Sequence, residues 1–225
     1  MALFVTVLIV SNVASSAKII DLGFQLAGVP MAFDAGTILF PLSYIFGDVL
    51  TEVYGYRRSR RVIWTGFACL VLTGLVLWMV RMLPGEAQWQ EYAGQEAFVA
   101  ILGGLSSGGL VAASLVAYWA GEFSNSVILA KMKVRTRGRF LWLRTIGSTL
   151  VGQGVDTLMF LLVATLAGVF PWSIFVSLVV TNYLFKVAIE ALMTPFTYRM
   201  VGWLKRSEKE DFYDTHTNFN PFRSE

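Results

Sequence analysis

The sequence predicts an all-α integral membrane bundle of six transmembrane helices, with both termini on the cytoplasmic side. Three observations predict it. Of 225 residues, 56% are apolar and 15% charged, against about 25% charged in a soluble domain. The apolar residues gather into stretches of bilayer length rather than alternating with polar ones, so helices are expected and barrel strands are not. The basic residues are distributed very unevenly between the connecting segments.

The apolar stretches run over 2–20, 35–51, 62–82, 97–120, 144–168 and 172–203. A helical span needs about 20 residues, which leaves only the second one short. That stretch contains Pro41 and Gly47, so a kinked or partly re-entrant segment is expected there. The first stretch ends in Ser15-Ser16-Ala17, which resembles a signal cleavage site. It lacks a basic leading region and carries Asn12 and Lys18, so it is read as a span. The division expected is a transport domain over 1–204 and a cytoplasmic tail over 205–225.

Orientation follows from lysine and arginine. Arg57, Arg58, Arg60 and Arg61 separate spans two and three. Lys131, Lys133, Arg135, Arg137, Arg139 and Arg144 separate spans four and five, and Arg199, Lys205, Arg206, Lys209 and Arg223 end the chain. The opposite side offers Arg81, in a loop with Glu86, Glu91 and Glu96. Fifteen against one places both termini in the cytoplasm. The same asymmetry explains these basic loops as topology signals, so no nucleic-acid partner is expected.

Polar residues recur within the spans at helical spacing. Span six carries Asn182, Lys186 and Glu190, every fourth residue, then Thr194 before Pro195. Residues four apart share a face, and lipid does not tolerate such a stripe, so it faces the protein interior. Pairing of Lys186 with Glu190 is the structural alternative; burial makes even a paired charge costly, which favours a site. Span five sets Ser148, Gly152 and Asp156 on one face with Gln153 alongside. Asp156 is read as a substrate ligand or a proton carrier, or as the partner of Lys18 or Lys186. Span two contributes Tyr44, Asp48 and Glu52; Asp48 is the deeper candidate, and Glu52 is placed to pair with Arg57 or Arg58 or to serve in proton coupling or a gate. Span one adds Asn12 and Lys18. At the inner end of span four, Glu122 is read as serving in proton coupling or a gate, and Asn125 as a site or gate residue or as a cap.

The deep charges Asp48, Glu52, Asp156 and Glu190 outnumber Lys18 and Lys186 four to two. A cationic partner or bound protons are therefore expected. A donor-rich ligand in a membrane chamber implies transport.

Other chemistries find no support. Cys69 and His216 are the single cysteine and histidine, too few for a zinc-type site. No HExxH or phosphate-loop pattern occurs, so neither an enzyme nor a cofactor is expected. The series Gly104, Gly108 and Ala112 is read as a close helix contact, within the chain or with a second copy.

Several motifs together resemble the queuosine precursor transporter family. They are Phe40-Pro41-Leu42-Ser43-Tyr44 with Asp48 and Glu52-Val53-Tyr54-Gly55, and Gly121-Glu122-Phe123-Ser124-Asn125-Ser126. Arg144-Thr145-Ile146-Gly147-Ser148-Thr149 with Asp156, and Asn182-Tyr183 with Lys186, continue the match. It closes on Asp211-Phe212-Tyr213-Asp214 and Asn220-Pro221-Phe222, so the resemblance covers nearly the whole chain. It implies a bacterial inner-membrane importer of 7-deazaguanine bases, such as preQ0, preQ1 or queuine, used in tRNA modification. It also implies a likeness to the substrate-binding subunits of energy-coupling-factor transporters. A stand-alone carrier and a subunit served by a separate ATPase module are both compatible with the chain, as are a monomer and a homodimer. A guanine-like ring offers two adjacent donors that a carboxylate accepts in parallel. On this reading Glu190 or Asp156 takes the donor edge, Lys186 or Asn182 the carbonyl, and Asp48 lines the path or carries a proton, beside aromatic faces such as Tyr44.

Overall fold

The computed structural model describes residues 1–26, 29–106, 108–168 and 171–223. Helix α1 (Ala2–Ala17) leads into an antiparallel hairpin of β1 (Ile19–Leu26) and β2 (Val29–Asp34). Next come α2 (Phe40–Tyr54), α3 (Tyr56–Met82), a short α4 (Ala87–Tyr92) and α5 (Gly94–Ser106). The long helices α6 (Gly108–Arg135), α7 (Leu141–Leu166) and α8 (Phe175–Glu208) complete the bundle. Among the described residues, three helices, Tyr56–Met82, Leu141–Leu166 and Leu178–Glu208, are long and apolar enough to cross a membrane.

The hairpin adds strand to the helical architecture in a stretch where hydropathy predicts no element. Pro41 stands in the first turn of α2, where its missing N–H costs nothing, so it starts the helix rather than kinking it. Within the apolar stretch 97–120 the described residues are helical, as α5 up to Ser106 and as α6 from Gly108. Lys131, Lys133 and Arg135 consequently lie in the last turns of α6 and not in a loop. The Gly104, Gly108 and Ala112 series lies in this stretch, and the surroundings of Gly104 and Gly108 lie outside the described residues.

The bundle is inverted relative to a soluble protein. Leu72, Leu75 and Trp78 of α3, Leu158 of α7 and Val176, Leu184 and Leu192 of α8 are exposed, while Asp48, Glu52, Glu122, Asn125 and Ser126 are buried. Apolar faces outward and ionisable groups inward are what a lipid solvent demands. One apolar cluster joins α1, α3 and α6 through Phe4, Leu8, Ile63 and Tyr118. A Cβ on Gly66 would lie 2.4 Å from the Tyr118 hydroxyl oxygen, so this three-helix contact depends on glycine there. A second cluster, Ile45, Val49, Val53 and Val201, fastens α2 to α8.

The chain beyond α8 is folded back on the bundle, not a separate appendage. The Asp214 carboxylate accepts from the Tyr56 amide at 3.1 and 3.2 Å, capping the start of α3. Phe212 N–H donates to the Val53 carbonyl at 3.0 Å. Gly55, at φ +82°, makes the sharp turn between α2 and α3, and a Cβ there would strike the Phe212 ring at 2.3 Å. Further along, Trp64 Nε1–H donates to the Pro221 carbonyl at 2.8 Å, and Phe222 packs beside Trp64 and Trp119.

Candidate functional site

Four helices bring their polar faces to one place. Helix α2 supplies Tyr44 and Asp48, one turn apart; α6 supplies Glu122 and Asn125; α7 supplies Gln153 and Asp156; α8 supplies Lys186 and Glu190. Each pair sits three or four residues apart, so each lies on a single helical face. Tyr44, Asp48, Glu122, Asn125, Gln153, Asp156 and Glu190 are all buried, none more than 7% exposed. Tyr44 lies within electrostatic range of Asp156, Glu122, Glu190 and Asp48, and Glu122 within range of Asp48 and Asp156. Glu190 in turn interacts with Asp48 and Glu122.

Glycine makes the convergence possible. A Cβ on Gly121 would lie 2.7 Å from the Cβ of Asp156, and one on Gly152 would lie 2.7 Å from the Cβ of Asn125. Helices α6 and α7 therefore touch through bare backbone on both sides of the site. Across the cluster, Asn125 Nδ2 donates to Asp48 Oδ1 at 2.7 Å, and Lys186 Nζ donates to Asp156 Oδ2 at 2.7 Å. Lys186 thus pairs across the bundle with Asp156 and not along its own helix with Glu190. Buried oxygens without a hydrogen-bond partner include Asp48 Oδ2, Glu122 Oε2, Asn125 Oδ1, Gln153 Oε1 and Glu190 Oε2.

One turn along α2 from Asp48 lies a second polar centre, of different character. Glu52 Oε1 accepts from Arg144 Nη2 at 2.7 Å and from Lys205 Nζ at 2.8 Å, and its Oε2 accepts from Arg144 Nε at 3.2 Å. Lys133 Nζ lies 3.8 Å from Glu52 Oε1 and donates to Asp211 Oδ1 and to the Phe212 carbonyl. Lys205 also meets Asp211 at 2.8 Å. Residues from α2, α6, α7, α8 and the tail are thereby joined in one network. Arg58 is exposed and pairs with Glu210 instead, so Glu52 is not the partner of the Arg57–Arg58 pair. Its face of α2 turns inward, away from them.

Of the residues the sequence nominates, Tyr44, Asp48, Glu122, Asn125, Asp156, Lys186 and Glu190 come together. Glu52 occupies the neighbouring ion network. Asn182 and Asn12 are half-buried, and each turns its amide onto its own helix, at the Leu178 and Leu8 carbonyls. Lys18 is exposed just past the end of α1. Sequence reasoning left out Gln153 as a candidate and counted Lys133 and Arg144 as loop charges, though both are about 1% exposed. A signal for Arg144 existed: it is one step before Ser148, Gly152 and Asp156 on the same fourfold series.

The profile of the family described as "Putative vitamin uptake transporter" matches residues 34–200. The chain belongs to that family. It is similar to a "Probable queuosine precursor transporter" of Bacillus subtilis (strain 168), 26% identical over 174 residues, covering 77% of this chain and 74% of the relative. It is also similar to the "Queuosine precursor transporter" of Escherichia coli (strain K12), 24% identical over 179 residues, covering 79% of this chain and 75% of the relative. No solved structure matches. Both relatives' names agree with the family resemblance carried by the motifs, and the matched region contains every member of the central cluster.

Proposed function

We propose that this chain is a multi-pass carrier that imports queuosine precursors, 7-deazaguanine bases such as preQ0, preQ1 or queuine, across the bacterial inner membrane. The observation that carries the reading is the buried cluster of Asp48, Glu122, Asn125, Gln153, Asp156 and Glu190, whose unpartnered oxygens offer acceptors to a donor-bearing base. Helices α1, α2, α3, α6, α7 and α8 serve as six spans. Both termini then lie in the cytoplasm, with the Glu52 network at that end.

The base lies with its ring N–H and exocyclic amine toward Glu190 or Asp156, a two-point contact that fixes orientation as well as charge. Lys186 or Asn182 donates to the ring carbonyl, and Tyr44 flanks the ring. Asp48 and Asn125, bonded to each other, line the site from α2 and α6. As a carrier, the chain moves these precursors of tRNA modification across the membrane without making or breaking their bonds.

Uptake of labelled 7-deazaguanines into cells or vesicles tests this. Saturable uptake that is lost in Glu190→Gln and Asp156→Asn supports the site. Transport surviving both changes removes it. Repeating uptake with the proton gradient collapsed, and purifying the protein with any bound ATPase, separates a gradient-driven carrier from a subunit of an ATPase-driven complex.

A further inference from the structure

Toward its C-terminal end, α8 has two distinct faces. Thr197 and Val201 are buried and Lys205 reaches Glu52, so this fourfold series points into the bundle. On the other side Leu192, Phe196, Arg199, Trp203 and Arg206 recur at alternating steps of four and three, and all five are exposed. The helix is 34 residues long, about 51 Å, against a hydrocarbon layer of about 30 Å. Its last turns therefore stand clear of the acyl chains. Counted from Leu178, the start of its membrane-crossing length, about 20 residues reach Thr197. Leu192 and Phe196 then lie at acyl-chain depth, and Arg199, Trp203 and Arg206 follow within two turns, at the depth of the headgroups.

Two guanidinium groups at that level call for an anion. Among the described residues, neither Arg199 nor Arg206 makes an ion pair. The acids that follow them in the chain are engaged elsewhere: Glu208 accepts from Tyr54, Glu210 pairs with Arg58, and Asp211 with Lys133 and Lys205. The guanidinium fork matches phosphate oxygens, and an indole favours the membrane interface. A second indole stands nearby, because Trp142 N–H of α7 donates to the Tyr198 hydroxyl at 2.8 Å and Trp142 is itself exposed. A second copy of this chain fits the face less well, since a two-fold contact there would set arginine against arginine.

We infer that Arg199, Trp203 and Arg206 form a binding site for an anionic phospholipid, its phosphate held between the two guanidinium groups and its acyl chains laid along Phe196 and Leu192. The site lies on the opposite face of α8 from the Glu52 network. It requires that α8 cross a bilayer and does not depend on which cargo is carried.

The full-length protein in mild detergent is tested by native mass spectrometry, with phosphatidylglycerol and phosphatidylcholine of identical acyl chains offered in equal amounts. Wild type should retain phosphatidylglycerol over phosphatidylcholine by about fivefold or more, the factor expected from one basic residue at a membrane surface. The double variant Arg199→Gln, Arg206→Gln should bring that ratio close to unity. Arg57→Gln with Arg61→Gln removes the same charge from exposed positions on α3 and should leave the ratio as in wild type. Glycerol phosphate, the headgroup chemistry without acyl chains, should not displace the lipid. The inference is overturned by a wild type without preference, by equal loss in both double variants, by displacement with glycerol phosphate, or by a dimer that excludes the lipid. The wild-type ratio needs no variant, so a double variant that fails to fold does not shelter the inference.

Discussion

Asn125 Nδ2 donates to Asp48 Oδ1 at 2.7 Å, and the remaining oxygen of each side chain, Asn125 Oδ1 and Asp48 Oδ2, is buried without a hydrogen-bond partner. The bond ties α6 to α2 and at the same time presents two acceptors to the centre. These roles separate by mutation. Asp48→Asn keeps an oxygen for the Asn125 amide but removes the charge, so its thermal stability in detergent should stay near wild type while uptake falls. Asn125→Leu removes the donor and leaves Asp48 buried without one. It should lose about 1–3 kcal/mol of stability as well as uptake. Equal loss of stability in both variants would mean that the charge of Asp48 holds the fold.

The Lys186–Asp156 pair poses the opposite question, whether it is mere glue between α7 and α8. Breaking a buried pair from one side leaves an uncompensated charge, at a cost of about 3–5 kcal/mol. Asp156→Asn and Lys186→Gln are each expected to unfold at lower temperature, and the double variant is expected to regain most of that loss. Uptake should not return with it, because the carboxylate and ammonium are wanted by the substrate. Recovery of transport along with stability would reduce the pair to a structural one.

Much of the centre was legible in the sequence because a buried polar residue in an apolar helix has few explanations, and fourfold spacing assigns it a face. Tyr44, Asp48, Asp156, Lys186 and Glu190 were found that way. Which acid meets which base was not legible. That depends on the rotation and depth of each helix, which hydropathy does not encode, so Lys186 had Glu190 and Asp156 as equal prospects. The folded-back tail escaped detection because its polar composition reads as a solvated end, although its Asp214 and Phe212 are placed by backbone hydrogen bonds.

Glu52 is surrounded by Arg144, Lys205 and Lys133, three cations from three helices. Removing its charge leaves them facing one another, so Glu52→Gln should destabilise by about 3–5 kcal/mol. Arg144→Lys is the more informative change. Arg144 bonds both carboxylate oxygens of Glu52 and also reaches Thr136 Oγ1 at 3.2 Å and the Arg139 carbonyl. An ammonium cannot reproduce that fork. Thermal unfolding of Arg144→Lys should fall clearly below wild type; an unchanged melting temperature would mean the network is slack.

Asp211 is the part of this network contributed by the tail, and it makes the attachment sensitive to acid. Burial alone would push its carboxyl up, but hydrogen bonds from Lys133 and Lys205 outweigh that and hold it below the ordinary range. A carboxylate depressed in the folded state adds stability above its unfolded value of about 3.9 and loses it as pH falls through the folded value. The tail should therefore resist a protease at neutral pH and begin to be cut, between Glu208 and the chain end, only below about pH 4. Asp211→Asn removes the titrating group. Its tail should be cut more readily at neutral pH, with a flatter dependence on acid. The side chain is 43% exposed, so the effect is expected on the tail alone and not on unfolding of the bundle. An Asp211→Asn protein whose cleavage follows the wild-type pH curve would place the acid sensitivity elsewhere.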